Sequence, residues 1–185
     1  MFERHNAKAL SLIEDLADPR LSLQRTNDIA VLHINTALCS AQISLQGAQL
    51  LKFCPHDGRD WLHPPNTSEC ITGQAIDAGI PLCLPWFGRH ANSDYPIHGY
   101  LRNACWQLST LRMEGDECIA AFTYHHQPTK LFDYHFTAEH ILRLGRDIQL
   151  QLTIENHNDV DMPLSFAWHS YFQVANSANV QLHGL

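Results

Sequence analysis

The sequence predicts an all-β protein in which antiparallel sheets stack into a sandwich, preceded by one short helix. Three observations predict it: many short β-branched-rich runs set off by turn residues, a strict apolar–polar alternation from Ile148 to Glu155, and almost no helical periodicity after residue 20. The 185 residues are 45% hydrophobic and 17% charged, enough apolar material to close a core and too little charge for a disordered chain. That size predicts one domain, residues 1–185.

Residues 3–16 contain good helix formers with apolar positions at Leu10, Ile13 and Leu16, which suits a short amphipathic helix ending before Asp18-Pro19. Ile29–Ile34 and Leu38–Leu45 read as strands separated by Asn35-Thr36. Residues 54–105 break the pattern: they are rich in Pro, Gly, Asn and Asp, carry Trp61, Trp86 and Phe87, and read as a long irregular segment of the kind that forms binding loops. Trp106–Leu111 and Glu117–Tyr124 are joined through Gly115-Asp116 as one hairpin. Phe136–Leu144 and Ile148–Glu155 are joined across Gly145-Arg146-Asp147 as a second, its last strand half-buried. No internal repeat or linker interrupts the chain.

With 12 Lys+Arg against 19 Asp+Glu the formal net charge is −7, which argues against a nucleic-acid binder that works by neutralising phosphates. No apolar run is long enough to cross a membrane as a helix, and Met1–Asn6 lacks the apolar core of a secretory signal, so the cytosol is the expected location. The six cysteines lack the close spacing of a disulfide framework and read as reduced, small buried hydrophobes. Thirteen histidines invite a metal reading, but none forms His-Glu-x-x-His or His-x-His, and His135 and His140 would face opposite sides of a strand; no metal is expected. The signatures of serine hydrolases (Gly-x-Ser-x-Gly), of dinucleotide-binding folds and of P-loops are all missing.

Two segments carry chemistry. Gly79–Arg89 surrounds Trp86 and Phe87 with prolines and glycines, then reaches Pro96–Asn103 with His98 and Arg102. Proline fixes φ and glycine permits close backbone approach, so such a loop is rigid without regular structure. Aromatic faces suit a sugar ring, and His, Arg and Asn supply donors for hydroxyls or phosphate; a loop that merely plugs one end of the sandwich fits equally well. In the second segment, Ser165–Phe172, His169 stands inside an aromatic run. A lone histidine there is ordinarily a satisfied core residue, but convergence of His98, His169 and an arginine on one face would place donors beside an acid–base group.

Four blocks, Leu45–Leu51, Ala75–Gly88, His98–Asn103 and Trp168–Phe172, resemble in sequence and order the D-hexose-6-phosphate mutarotases, the glucose-6-phosphate 1-epimerases of the aldose 1-epimerase superfamily. The resemblance implies a β-supersandwich and interconversion of the α and β anomers of a hexose or hexose 6-phosphate without a cofactor. It implies that His169 is the general acid on the ring oxygen, that His98 binds and polarises the same region, that Arg102 lies near the phosphate, and that Gln46 and Trp86 line the pocket. Two departures stand out. Where the family has arginine in Ala-Ile-Arg-Gly-Gly, this chain has Asp77 and Ala78, which would set a carboxylate before an anion; Arg89 either compensates or is a solvated loop residue. The family also continues well beyond residue 185, and its catalytic glutamate, in a motif resembling Val-Glu-Thr-Ala, lies there. Asp133, Glu139 and Glu155 match no such position and read as surface charges. The chain therefore reads as C-terminally incomplete relative to the family, with strand edges open to association. A sugar-binding module without turnover, or an inactive fragment, is the alternative function.

Overall fold

Each long strand pairs with the next in sequence, so local hairpins build both main sheets. A computed structural model describes residues 6–56, 58–181 and 183. The helix, α1 (Ala7–Leu16), ends where Ala17 turns left-handed and donates its N–H to the carbonyls of Ile13 and Glu14; residues 3–5 of the expected helix lie outside the described residues. It lays Ala9 into the core beside the strands Gln107–Glu114 and Leu21–Thr26.

The first sheet is a meander of β1 (Leu21–Thr26), β2 (Ile29–Asn35), β3 (Cys39–Ser44) and β4 (Gln49–Pro55). The second is a meander of β6 (Gln107–Glu114), β7 (Glu117–His126), β8 (Phe136–Leu144) and β9 (Ile148–Asn156). Leu32, Ile34, Ile43 and Phe53 from the first sheet and Leu108, Phe122, Phe136 and Leu142 from the second form one continuous buried cluster. Burying each of these large side chains stabilises the sandwich by roughly 1.5–3 kcal/mol.

The expected strands lie within a residue or two of their predicted limits, except that β6 runs three residues further, to Glu114 at its turn; β7 runs two further at the end away from that turn, to His126. His140 points inward from β8, while His135 precedes the strand on the outer side. β9 is the outer strand of its sheet, and Ile148, Leu150, Leu152 and Ile154 are only partly covered. Beyond it Val160, Phe166, Phe172 and Val174 are exposed. No helix among the described residues is long and apolar enough to cross a membrane.

The irregular stretch is held by backbone bonds and is not a loose loop: Ile80 donates its N–H to the Leu50 carbonyl of β4 at 2.8 Å. Its short strand β5 (Leu82–Cys83) pairs antiparallel with β10 (Ala167–Trp168), and the backbone ladder continues past both. This small ribbon carries the candidate site.

Candidate active site

Residues 165–171 run antiparallel beside 79–85: the N–H groups of Ser165, His169 and Tyr171 donate to the carbonyls of Pro85, Pro81 and Gly79 at 3.0, 2.9 and 2.8 Å. Side chains alternate along such a segment. Trp168 therefore turns into the core, where its indole meets His140, while His169 and Tyr171 share the other face with ring centroids 4.9 Å apart.

The second histidine arrives on a separate loop. Tyr100 and Leu101 both donate their N–H to the Leu84 carbonyl, and a Cβ on Gly99 would sit 2.1 Å from that oxygen. Gly99 also has φ +69°, so only glycine lets this loop dock so closely. Gly99→Ala is accordingly expected to destabilise the fold by about 2–4 kcal/mol in urea denaturation, through backbone displacement added to left-handed strain. A loss below about 1 kcal/mol would show that the 98–103 loop is not held this way.

His98 itself has φ +67°, a left-handed conformation that is uncommon for a residue with a side chain. Two hydrogen bonds to Gly88 hold it: His98 N–H donates to the Gly88 carbonyl at 2.9 Å, and Gly88 N–H donates to His98 Nδ1 at 3.1 Å. The His98 and His169 rings consequently meet edge to face with centroids 5.4 Å apart. Phe87 covers both, at 5.0 Å from His98 and 6.4 Å from His169, and is itself 49% exposed, so the cluster opens to solvent.

The two imidazoles differ electrically. Burial, then the nearby Arg102 cation and His169, push the His98 pKa below its ordinary value, with Asp77 opposing them. His98 is thus neutral at pH 7, and because its Nδ1 accepts from Gly88, its proton sits on Nε2 as an outward hydrogen-bond donor. His169 Nδ1 is buried without a hydrogen-bond partner, which leaves Nε2 as the nitrogen that can meet a ligand.

Arg102 approaches from the 101–103 turn. Its Nη1 donates to Asp77 Oδ1 at 3.1 Å and its Nη2 to the Ile97 carbonyl at 3.3 Å, while Tyr171 Oη reaches the same Asp77 oxygen at 3.5 Å. Burial and the Asp77 charge raise the Tyr171 pKa, so the phenol keeps its proton. The Arg102 side chain is 13% exposed and that of Asp77 67%, so an anion from solvent meets the carboxylate before the guanidinium.

His98, His169, Arg102 and Asp77 are therefore brought together. Gln46, Trp86 and Arg89 are not. Gln46 spends its amide on the adjacent turn, donating to the Gln74 carbonyl at 2.8 Å and accepting from Gly73 N–H at 2.7 Å. Trp86 and Phe87 point to opposite sides: Trp86 donates to the Pro96 carbonyl and packs on His90, Tyr95 and Tyr100, lining a separate cavity of about 440 Å³ with Phe132 and Tyr134. Arg89 is exposed and makes no ion pair among the described residues, so Arg102, not Arg89, neutralises Asp77. Tyr171 is a site residue that the motifs contain without singling out, and Phe87, noted in the sequence only as one of an aromatic pair, is the ring that faces the histidines. Period-two alternation places Tyr171 beside His169; nothing in the sequence says which of Trp86 and Phe87 faces them. Among the described residues no group of three His, Cys, Asp or Glu side chains is placed to hold a metal ion.

A β-sandwich of two four-stranded meanders with a small ribbon attached is the fold of the galactose-mutarotase-like proteins. A "putative mutarotase" from Salmonella typhimurium superposes with a TM-score of 0.79 at 28% identity, over 85% of this chain and 52% of that one. A galactose mutarotase-like protein from Clostridium acetobutylicum superposes with a TM-score of 0.66 at 15% identity, over 84% of this chain and 55% of that one, a likeness of fold alone. Residues 30–185 match the aldose 1-epimerase family, and the chain belongs to that family. A "putative glucose-6-phosphate 1-epimerase" of Escherichia coli is 31% identical over 179 residues, covering 96% of this chain. The chain spans 59% of that relative's length.

Proposed function

We propose that the His98–His169 site interconverts the α and β anomers of an aldohexose 6-phosphate by acid–base ring opening. The observation that carries this reading is the contact of two imidazoles from separate segments, one fixed as a neutral donor and the other with a nitrogen free to exchange a proton. His169 donates its proton to the ring oxygen as the C1–O5 bond breaks, and the anomeric hydroxyl loses its proton to a base, giving the open aldehyde. Rotation about C1–C2 presents the other carbonyl face, and the reverse transfers close the ring. His98 Nε2–H steadies the oxygen on which charge develops. The balance needs no redox partner or cofactor, since every bond broken is remade.

The family resemblance implies a glutamate as that base. Among the described carboxylates, Asp77 is tied to Arg102, Asp133 lines the Trp86 cavity, and Glu139 and Glu155 lie on the outer face of the second sheet. This favours one second reading, sugar binding without turnover. Exchange NMR and polarimetry on freshly dissolved α-glucose 6-phosphate and α-galactose separate the two: catalysed exchange supports the enzyme, binding with exchange at the buffer rate supports the module, and no binding rejects both.

Phosphate preference rests on Arg102 and on the printed name of the Escherichia coli relative. Asp77 opposes it, because an exposed ion pair adds little stability while its carboxylate repels a dianion. Asp77→Asn should lower KM for the hexose 6-phosphate about 3- to 10-fold and leave that for the free hexose unchanged. A higher KM for the phosphate would mean that Asp77 holds Arg102 in its binding pose. Six unpaired cysteines suit a reducing compartment such as the cytosol. The free edge of β9 favours association of the isolated chain.

A further inference from the structure

We propose that His140 is a positioning residue that sets both halves of the site through the core beneath it; the inference deepens the mutarotase reading and rests on it for its kinetic consequence. His140 is 1% exposed in the middle of β8, on the inner face of the second sheet. Its Nε2 accepts the Trp168 indole N–H at 3.2 Å, and the two rings lie with their planes 30° apart and centroids 6.2 Å apart. Trp168 immediately precedes His169, so the bond to His140 fixes the rotation of the backbone that aims the catalytic imidazole.

The other edge of His140 meets Trp106, with centroids 6.4 Å apart in a T-shaped contact. Trp106 donates its indole N–H to the Leu101 carbonyl at 3.0 Å, next to Arg102. The remaining nitrogen, Nδ1, has no hydrogen bond of ordinary geometry, and the Ala48 backbone is the group that favours its proton. Ala48 follows Gly47, whose N–H donates to Ala104 at 2.7 Å and whose missing Cβ leaves room for the Arg102 carbonyl. One buried ring thus touches the supports of the His169 segment and of the Arg102 turn. A neutral imidazole suits this post: Nε2 accepts from Trp168, so the ring's proton sits on Nδ1, the nitrogen that faces the Ala48 backbone.

The ¹⁵N spectrum of the wild-type chain is the first test. Nε2 must be the unprotonated nitrogen of His140; a proton there removes the link to Trp168 and overturns the proposal. His140→Phe fills the space but cannot accept, whereas His140→Gln can. In His140→Phe the Trp168 indole N–H should exchange at least about tenfold faster, the His98–His169 ring contact should disappear from NOE spectra, and kcat for anomerisation should fall about 10- to 100-fold with KM within about threefold. His140→Gln should restore the protected indole and most of kcat. Unchanged indole exchange and ring contact in His140→Phe would overturn the proposal. Should His140→Phe not fold, the tautomer and His140→Gln decide it. Should the wild type show no anomerisation, the mutarotase reading fails while both NMR readouts still judge the role of His140.

Discussion

His169→Asn is expected to lower the rate of hexose 6-phosphate anomerisation by about 10² to 10⁴-fold, the usual yield of a positioned proton donor. Asparagine keeps a polar side chain of similar reach but has no proton to exchange. Because His169 is held by a backbone bond to Pro81 and not by side-chain bonds, the substitution should leave the fold intact. The loss should therefore appear mainly in kcat, with circular dichroism unchanged. His98→Asn should cost less and raise KM as well, since its Nε2–H acts as a donor in both ground and transition states. Equal rates for wild type and His169→Asn would remove His169 from the chemistry.

The second large effect is on stability. Burial lowers the His140 pKa to about 4, against an unfolded value near 6.5. Between these values the unfolded chain binds more protons than the folded one, so stability is full above pH 6.5 and falls as the pH drops. Burial lowers the His33 and His98 values in the same direction. From pH 6.5 to 5 His140 alone should account for a loss of about 2 kcal/mol in urea denaturation. Above pH 5 the low-lying carboxyls of Asp18 and Glu114, held down by arginine partners, remain ionised and do not contribute. His140→Gln should flatten this decline. A profile that is level or rises toward pH 5 in the wild type would show that His140 accepts a proton in the folded state.

The hairpins were legible because their information is local. Alternation in Ile148–Glu155 and the Gly145–Asp147 turn specify β8 and β9 without reference to the rest of the chain. β1 was harder to see: only Leu21 and Leu23 alternate before Gln24-Arg25, and its identity as a strand comes from full pairing with β2. The same contrast separates the site residues. His98 and His169 stand out by chemistry in unusual surroundings, and the fold joins them. Gln46 and Trp86 were indistinguishable in sequence from pocket residues, because what removes them is a bond to a distant turn and the side to which one ring of an adjacent pair points. The partnership of Asp77 with Arg102 spans 25 residues of irregular chain and has no periodic signature.

The most direct test of a shared two-imidazole sugar site is an NMR titration that follows the side-chain signals of His98 and His169 as glucose 6-phosphate is added. If one hexose engages both rings, their signals move together along a single saturable curve, and both stop moving at the same sugar concentration. Movement of one ring without the other, or of neither, would contradict a common site.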